Sequence, residues 1–199
     1  LECVVDVGAN VGIWSVAIAR LTGAKQIIAY EPIPNVFERL QENTWQYPQI
    51  HCEQSAVGAS SGQVTLNVER VHQLSSVLKM RDETRNMHGT SQDMTEQIVV
   101  PMTTLDDALS DCDEVSLLKL DVQGYEPEVF AGARTVLKRT RILMTEITYA
   151  PYYHGDLQLE SYLDLIRSLS SLRLWGISAP GCSPLGRPMS ADAIFVQAI

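Results

Sequence analysis

The stretch Val4-Val5-Asp6-Val7-Gly8-Ala9-Asn10-Val11-Gly12 decides the fold. A short β-branched run ends at a glycine, and the apolar stretch 13–21 that follows closes at Thr22-Gly23, so strand, turn and helix come in direct succession. Glycine belongs where the backbone turns left-handed or approaches a ligand closely, and the first turn of the next helix offers N–H groups with no partner inside the helix. Such a turn suits a negative or nucleotide-like ligand. Asn10 or a neighbour is expected near the helix N-cap, and a helix apolar nearly all round is expected to be buried. The G-x-x-x-G spacing fits neither the G-x-G-x-x-G of pyrophosphate sites nor the P-loop pattern. That spacing argues against an NAD-dependent dehydrogenase.

Outward from this turn, 26–30 reads as a second strand, and Glu31 stands at its end, nineteen residues beyond Gly12. An acidic side chain there can accept hydrogen bonds from both ribose hydroxyls of an adenosine. Pro34 opens a second helix with Val36, Phe37 and Leu40 on one face, and 51–54 follows as a third strand. Stretches 63–69 and 97–102 are expected to pair as an added antiparallel ribbon. Between them, 70–96 is polar and aperiodic, a length of connection that is usually functional or mobile; its Met80, Met87 and Met94 read as incidental packing. Further on come a capped helix at 104–109, a strand at 115–120 ending at Asp121, and a helix opened by Pro127. A strand at 142–147, an amphipathic helix at 159–169 and closing strands at 172–178 and 193–198 complete the chain. Alternation of this kind builds an α/β sandwich, here with seven main strands in one domain over 1–199.

Composition narrows the class. At 199 residues and 45% apolar content the chain can bury a core, while 24 acidic against 15 basic residues leave a net charge of −9, which argues against a dedicated nucleic-acid binder without excluding a local basic patch. Four cysteines without a C-x-x-C pair read as reduced, mostly buried thiols, with no metal site. No apolar run approaches the ~18 residues that span a bilayer and no signal peptide opens the chain, so a soluble cytoplasmic protein without a membrane partner is expected. Residue 1 already adjoins a core strand, from which a missing N-terminal segment is inferred. The cluster Asp106, Asp107, Asp111, Asp113 and Glu114 is expected to be a solvated surface.

Taken together, Asp6-Val-Gly-Ala-Asn-Val-Gly12, Glu31-Pro32, Thr104-Leu-Asp-Asp107, Leu117-Leu-Lys-Leu-Asp-Val-Gln-Gly-Tyr-Glu126 and Val129-Phe-Ala-Gly132 resemble the FkbM family of S-adenosylmethionine-dependent methyltransferases. The resemblance implies a class I, Rossmann-like methyltransferase fold, with a mostly parallel seven-stranded sheet and an antiparallel last strand. It also implies that Gly8, Ala9, Asn10 and Gly12 line the methionine half of S-adenosyl-L-methionine, with Asp6 ordering the turn beneath. Glu31, followed by Pro32, would hold the ribose. Ser55 and Ala56 fall at the adenine contact, where Ser55 departs from the usual Asp or Asn. Gln123 stands where the family more usually has Glu.

A methyl donor of this kind is already electrophilic, so the enzyme must align the acceptor and draw a proton from its hydroxyl. Asp121 is the first candidate for contacting the cofactor amine or the acceptor, with Glu126 and Glu146 as further catalytic candidates; Glu126 could equally cap the helix beside Pro127. Lys119 shares the side of Asp121 on its strand and could pair with it. His72, Ser75, Ser76, His88 and the run Tyr149-Ala-Pro-Tyr-Tyr-His154 are placed near the cleft mouth, suiting a small-molecule, sugar or glycan hydroxyl. Asp121-Val-Gln-Gly124 is not the Asn-Pro-Pro-Tyr-type tetrapeptide of base N-methylation. Two other readings stay open: a metal-assisted O-methyltransferase with an ion between Asp121 and Glu146, and a cofactor-binding module without catalysis.

Overall fold

The computed structural model describes residues 1–89, 95–183 and 185–198. Its first half runs β1 (Cys3–Val7), α1 (Ile13–Thr22), β2 (Gln26–Tyr30), α2 (Pro34–Thr44) and β3 (Ile50–Glu53). An added layer follows, with β4 (Ala56–Val57), β5 (Gly62–Val68), a 3-10 turn at His72–Leu74, α3 (Asp82–His88) and β6 (Glu96–Thr103). The chain then returns through α4 (Leu105–Ala108), β7 (Leu117–Leu120), α5 (Glu126–Ala131), α6 (Arg134–Lys138) and β8 (Ile142–Thr148). It closes with α7 (Leu159–Leu169), β9 (Leu172–Ile177), β10 (Gly181–Cys182) and β11 (Pro188–Gln197).

β1 is buried along its whole length because parallel neighbours, β2 and β7, flank it and helices cover both faces. Successive side chains serve opposite layers. Cys3, Val5 and Val7 join the large core under α4 to α7, whereas Val4 faces the smaller core with α1 and α2. The sheet order is β10-β11-β8-β7-β1-β2-β3, with β9 also on β11, and β11 runs antiparallel to β8 and β9. All seven expected strands are present. The two-residue β10 makes an eighth, because the final strand begins at Pro188, earlier than expected, and its first residues need a partner.

The expected antiparallel pairing of 63–69 with 97–102 is present as β5–β6, and β4 adds a third strand parallel to β6. Other local expectations are corrected. α1 is not buried: Ile13 is 76% and Leu21 82% exposed, because the sheet covers one face and no described element covers the other. Its N-cap is Gly12 in left-handed geometry, with no capping side chain. The long connection carries its own short helices and a buried ion pair, Arg85 Nη2 to Glu69 Oε1 at 3.0 Å, to which Thr95 Oγ1 donates a further bond at 2.9 Å. Met80 is fully buried beside Leu74 and Tyr153, while Met94, with residues 90–94, lies outside the described residues.

In the surface acidic cluster Glu114 pairs with Arg141 at 3.5 Å, and two other members hold the fold. The Asp106 carboxylate accepts from Thr135 N–H at 2.9 Å and Val136 N–H at 2.9 Å, capping α6, and Asp107 accepts from Ser61 Oγ at 2.7 Å. All four cysteines are free, but only Cys3 is buried. Removing one partner of the Arg85–Glu69 pair strands a charge in the interior. Glu69→Ala is therefore expected to lower stability by about 3 kcal/mol, read from urea unfolding midpoints.

Candidate active site

The chain leaves β1 toward β2 on one side, and β7 lies on the other, so the sheet order reverses between β1 and β7. Open α/β sheets form their ligand crevice at the carboxyl ends of the strands flanking such a reversal. Here the crevice walls touch. A Cβ on Gly8, whose φ is +79°, would come within 1.9 Å of the Asp121 carbonyl oxygen, and Asp121 N–H donates to Val7 O at 3.0 Å. Only glycine allows the turn and the loop after β7 to approach this closely.

A cleft of about 740 Å³ opens above them, lined by Gly8, Asn10, Glu31, Pro32, Ser55, Ala56 and Asp121 among others. The other expected cofactor residues lie beneath or behind it. Asp6 is fully buried; Ala9 is buried with its N–H on Tyr30 O at 2.9 Å; Gly12 faces Leu40 and Thr44 of α2. His72, Ser75 and Ser76 line the cleft as expected, whereas His88 packs on Tyr152 and His154 is exposed. Sequence reasoning missed Tyr30, Val57, Leu66, Gln73, Val77 and Tyr125. Tyr30 and Val57 adjoin residues that were identified, so the strand ends could have shown them. Gln73 and Val77 are placed by the pairing of Asn67 with Ser76, which no local pattern reveals.

Glu31 is 5% exposed, and each carboxylate oxygen takes one backbone N–H: Asn10 at 3.0 Å and Ile33 at 2.9 Å. Burial nevertheless pushes it up to about 7. Beneath the turn, Lys119 Nζ lies 3.4 Å from both Asp6 Oδ1 and Asp121 Oδ2, and Ser15 Oγ donates to Asp6 Oδ2 at 2.6 Å. Burial raises the Asp6 carboxyl, with Lys119 pulling the other way. Burial alone would lower the Lys119 ammonium, yet the two carboxylates hold it above its ordinary value.

The remaining candidates form a second row. Gln123 Nε2 donates to Asp121 Oδ1 at 2.8 Å and lies 3.5 Å from Glu146 Oε2. Glu146 does not line the main cleft; it borders a smaller pocket with Glu126, Asp156 and Tyr162. Glu126 is 4% exposed and accepts from Val122 N–H at 3.1 Å, bracing the loop after β7. Burial, reinforced by neighbouring carboxylates, raises Glu146 to about 7 and Glu126 to about 8. Among the described residues, no group of three His, Cys, Asp or Glu side chains is placed to hold a metal ion.

This strand order and crevice are those of the class I methyltransferase fold, and solved structures agree. A methyltransferase FkbM from Methylobacillus flagellatus KT superposes with a TM-score of 0.64 at 17% identity, over 96% of this chain and 43% of that one. Aeropyrum pernix fibrillarin, solved with natively bound S-adenosyl-L-methionine, gives 0.56 at 12% identity, over 98% of this chain and 66% of that one. Residues 6–173 match the family profile described as the Methyltransferase FkbM domain. The chain belongs to the FkbM methyltransferase family. Its curated relatives include the 2-O-methyltransferase NoeI of Sinorhizobium fredii, 26% identical across 83% of this chain and 71% of that protein. Another is the hexuronic acid methyltransferase AglP of Haloferax volcanii, 26% identical across 71% of this chain. The chain spans 54% of AglP's length.

Glu31, Glu126 and Glu146 each bind a proton more tightly folded than unfolded. The stability they contribute is complete below the unfolded value near 4.5 and is lost as pH rises through about 7 to 8. Urea midpoints of the ligand-free protein should therefore fall across this window, and Glu126→Gln should flatten the fall.

Proposed function

We propose that this chain transfers a methyl group from S-adenosyl-L-methionine to a hydroxyl of a sugar, glycan or other small molecule. The observation that carries this reading is the Glu31 carboxylate, buried at the end of β2 and facing the same cleft as the Gly8 turn. Each of its oxygens spends one lone pair on a backbone N–H and keeps another for a ribose hydroxyl. The cleft runs from the Gly8 turn past Glu31 to Ala56, the order in which an amino-acid tail, a ribose and an adenine would follow one another. Gly8 and Asn10 would meet the tail, Glu31 and Pro32 the ribose, and Ala56 the adenine. The Ser55 hydroxyl donates to Ala56 O at 2.8 Å, so Ser55 would meet adenine through its backbone. Bound there, the sulfonium supplies a methyl group that needs no further activation.

The chain's own work is then to orient the acceptor, exclude water and accept one proton. Asp121 lines the cleft with its side chain 43% exposed, which suits it to contact the acceptor hydroxyl or the donor's amine. Glu146 stands behind Gln123 as a second proton acceptor, and Glu126 serves as the brace beneath. The Gln123 amide points an N–H between Asp121 and Glu146, where a bridging cation would otherwise sit, which favours a reaction without metal assistance. Polar groups from His72, Gln73 and Ser75 at the cleft suit a hydroxylated acceptor, in keeping with the named activities of NoeI and AglP. No helix among the described residues is long and apolar enough to cross a membrane, and the cytoplasm is the compartment this reading implies.

Calorimetric binding of S-adenosylhomocysteine tests the first half of the proposal. Glu31→Ala should weaken it about tenfold or more, since two charge-assisted hydrogen bonds are lost. Wild-type affinity should rise as pH passes about 7, where Glu31 ionises, and Glu31→Gln should abolish that rise. Absence of binding to the wild type overturns the reading. Asp121→Asn should cut methyl transfer to hydroxylated acceptors about 10²-fold, and the same calorimetry on this variant reports whether the carboxylate also meets the donor's amine.

A further inference from the structure

Gln123 has a backbone conformation unusual for its type. Its φ is +56°, and the next residue, Gly124, has φ +88°, so two successive left-handed residues make the turn after β7. A non-glycine residue there costs about 1 kcal/mol or more. Gly124 is fixed as well, because a Cβ would come within 2.1 Å of Asp156 Oδ1. The strained residue then uses every polar group of its side chain and its carbonyl. Its carbonyl accepts from Ser76 Oγ at 2.7 Å, and its Oε1 accepts from Tyr153 OH at 3.0 Å. Nε2 donates to Asp121 Oδ1 at 2.8 Å and points to Glu146 Oε2 at 3.5 Å.

The Asp121 carboxylate sets which way the amide faces: a carboxylate oxygen accepts, so Nε2 is the end that meets it, and Oε1 turns to Tyr153. Tyr153 is buried, and its hydroxyl hydrogen is shared between Gln123 Oε1 and Leu74 O, the latter at 2.9 Å. The same tyrosine packs with Leu74 and Met80 under the segment 71–78 that roofs the cleft. Roof, loop and carboxylates therefore meet at one amide.

We infer that Gln123 is a positioning residue whose amide holds the Asp121 carboxylate at the cleft and Glu146 behind it in one arrangement, and whose carbonyl fastens that arrangement to the roof. A glutamate in its place would set a third acidic side chain against the first two. The other charged groups around the pair are Lys119 and Asp6 from β7 and β1, Glu31 from the end of β2, Asp192 from β11, Glu126 from α5 and Asp156 from the loop before α7. Lys119 alone among them is cationic, so the neutral amide matters to the local charge balance.

Two variants separate side-chain reach from backbone strain. Gln123→Asn tolerates the same left-handed backbone but is one methylene short, and Gln123→Glu keeps the reach but adds charge. The first readout is carboxyl ¹³C NMR titration of the ligand-free protein. Losing an N–H donor, or gaining a like charge, should move the Glu146 signal to higher apparent pKa, by about one unit or more in Gln123→Glu. The second readout is kinetic and rests on the proposed methyl transfer. Gln123→Asn should lower kcat about tenfold with the donor KM within about threefold, and Gln123→Glu should carry the acid limb of the kcat profile upward with the NMR shift. If the wild type transfers no methyl group, the proposed function fails while the titration still decides the role of Gln123. Should Gln123→Glu not fold, Tyr153→Phe frees the amide and should move the Glu146 signal upward by about half a unit. Titration curves matching wild type in the variants that fold would overturn the inference, as would a loss confined to thermal stability.

Discussion

The ammonium group of Lys119 holds the two walls of the crevice together. It reaches a carboxylate just past the end of its own strand and another on the strand beside it, at 3.4 Å each, because parallel register sets Lys119 directly across from Asp6. Asp6 is wholly buried, and an unpaired charge at that depth would cost several kcal/mol. The pair fixes the relative placement of β1 and β7 where both strands end. On that placement rests the near-contact of the Gly8 turn with the Asp121 backbone, and on that contact rests the floor of the cleft.

Carboxylates are arranged by depth around this floor. Glu31 and Asp121 face the cleft, one at each side of the sheet reversal, while Glu146 and Glu126 stand behind the loop after β7. The loop itself is a partition, braced from behind by Glu126 through Val122 N–H and held in front by Gln123. Under the proposed reaction the front row meets ligand and the back row maintains the partition and takes up charge.

Features carried by short-range chemistry were legible in the sequence. The glycine turn, Glu31 at a strand end, Pro34 opening α2 and Thr104 capping α4 each depend on residues a few positions apart. The alternation of side chains along a strand likewise put Lys119 with Asp121. What escaped depends on distant partners. Asp106 caps a helix that begins 28 residues later, and the cleft roof is set by Asn67 pairing with Ser76 and by Tyr153 reaching Leu74 O. Two-residue strands such as β4 and β10 have no period to read, and the exposed side of α1 is invisible to a pattern that counts only apolar residues. Gln123 looked like a departure from the family pattern. Its left-handed backbone and its hydrogen bond to Tyr153, thirty positions along the chain, make it a junction.

The two N–H groups that grip Glu31 have a consequence for turnover. One comes from the turn after β1 and the other from the approach to α2, so folding alone clamps this side chain at its post. An arriving sugar ring would find its acceptors already immobilised, and the entropy of ordering them would have been spent before any ligand came. Departure of the spent nucleoside would leave the seat unchanged, and successive cycles could begin without a recovery step at that end of the crevice.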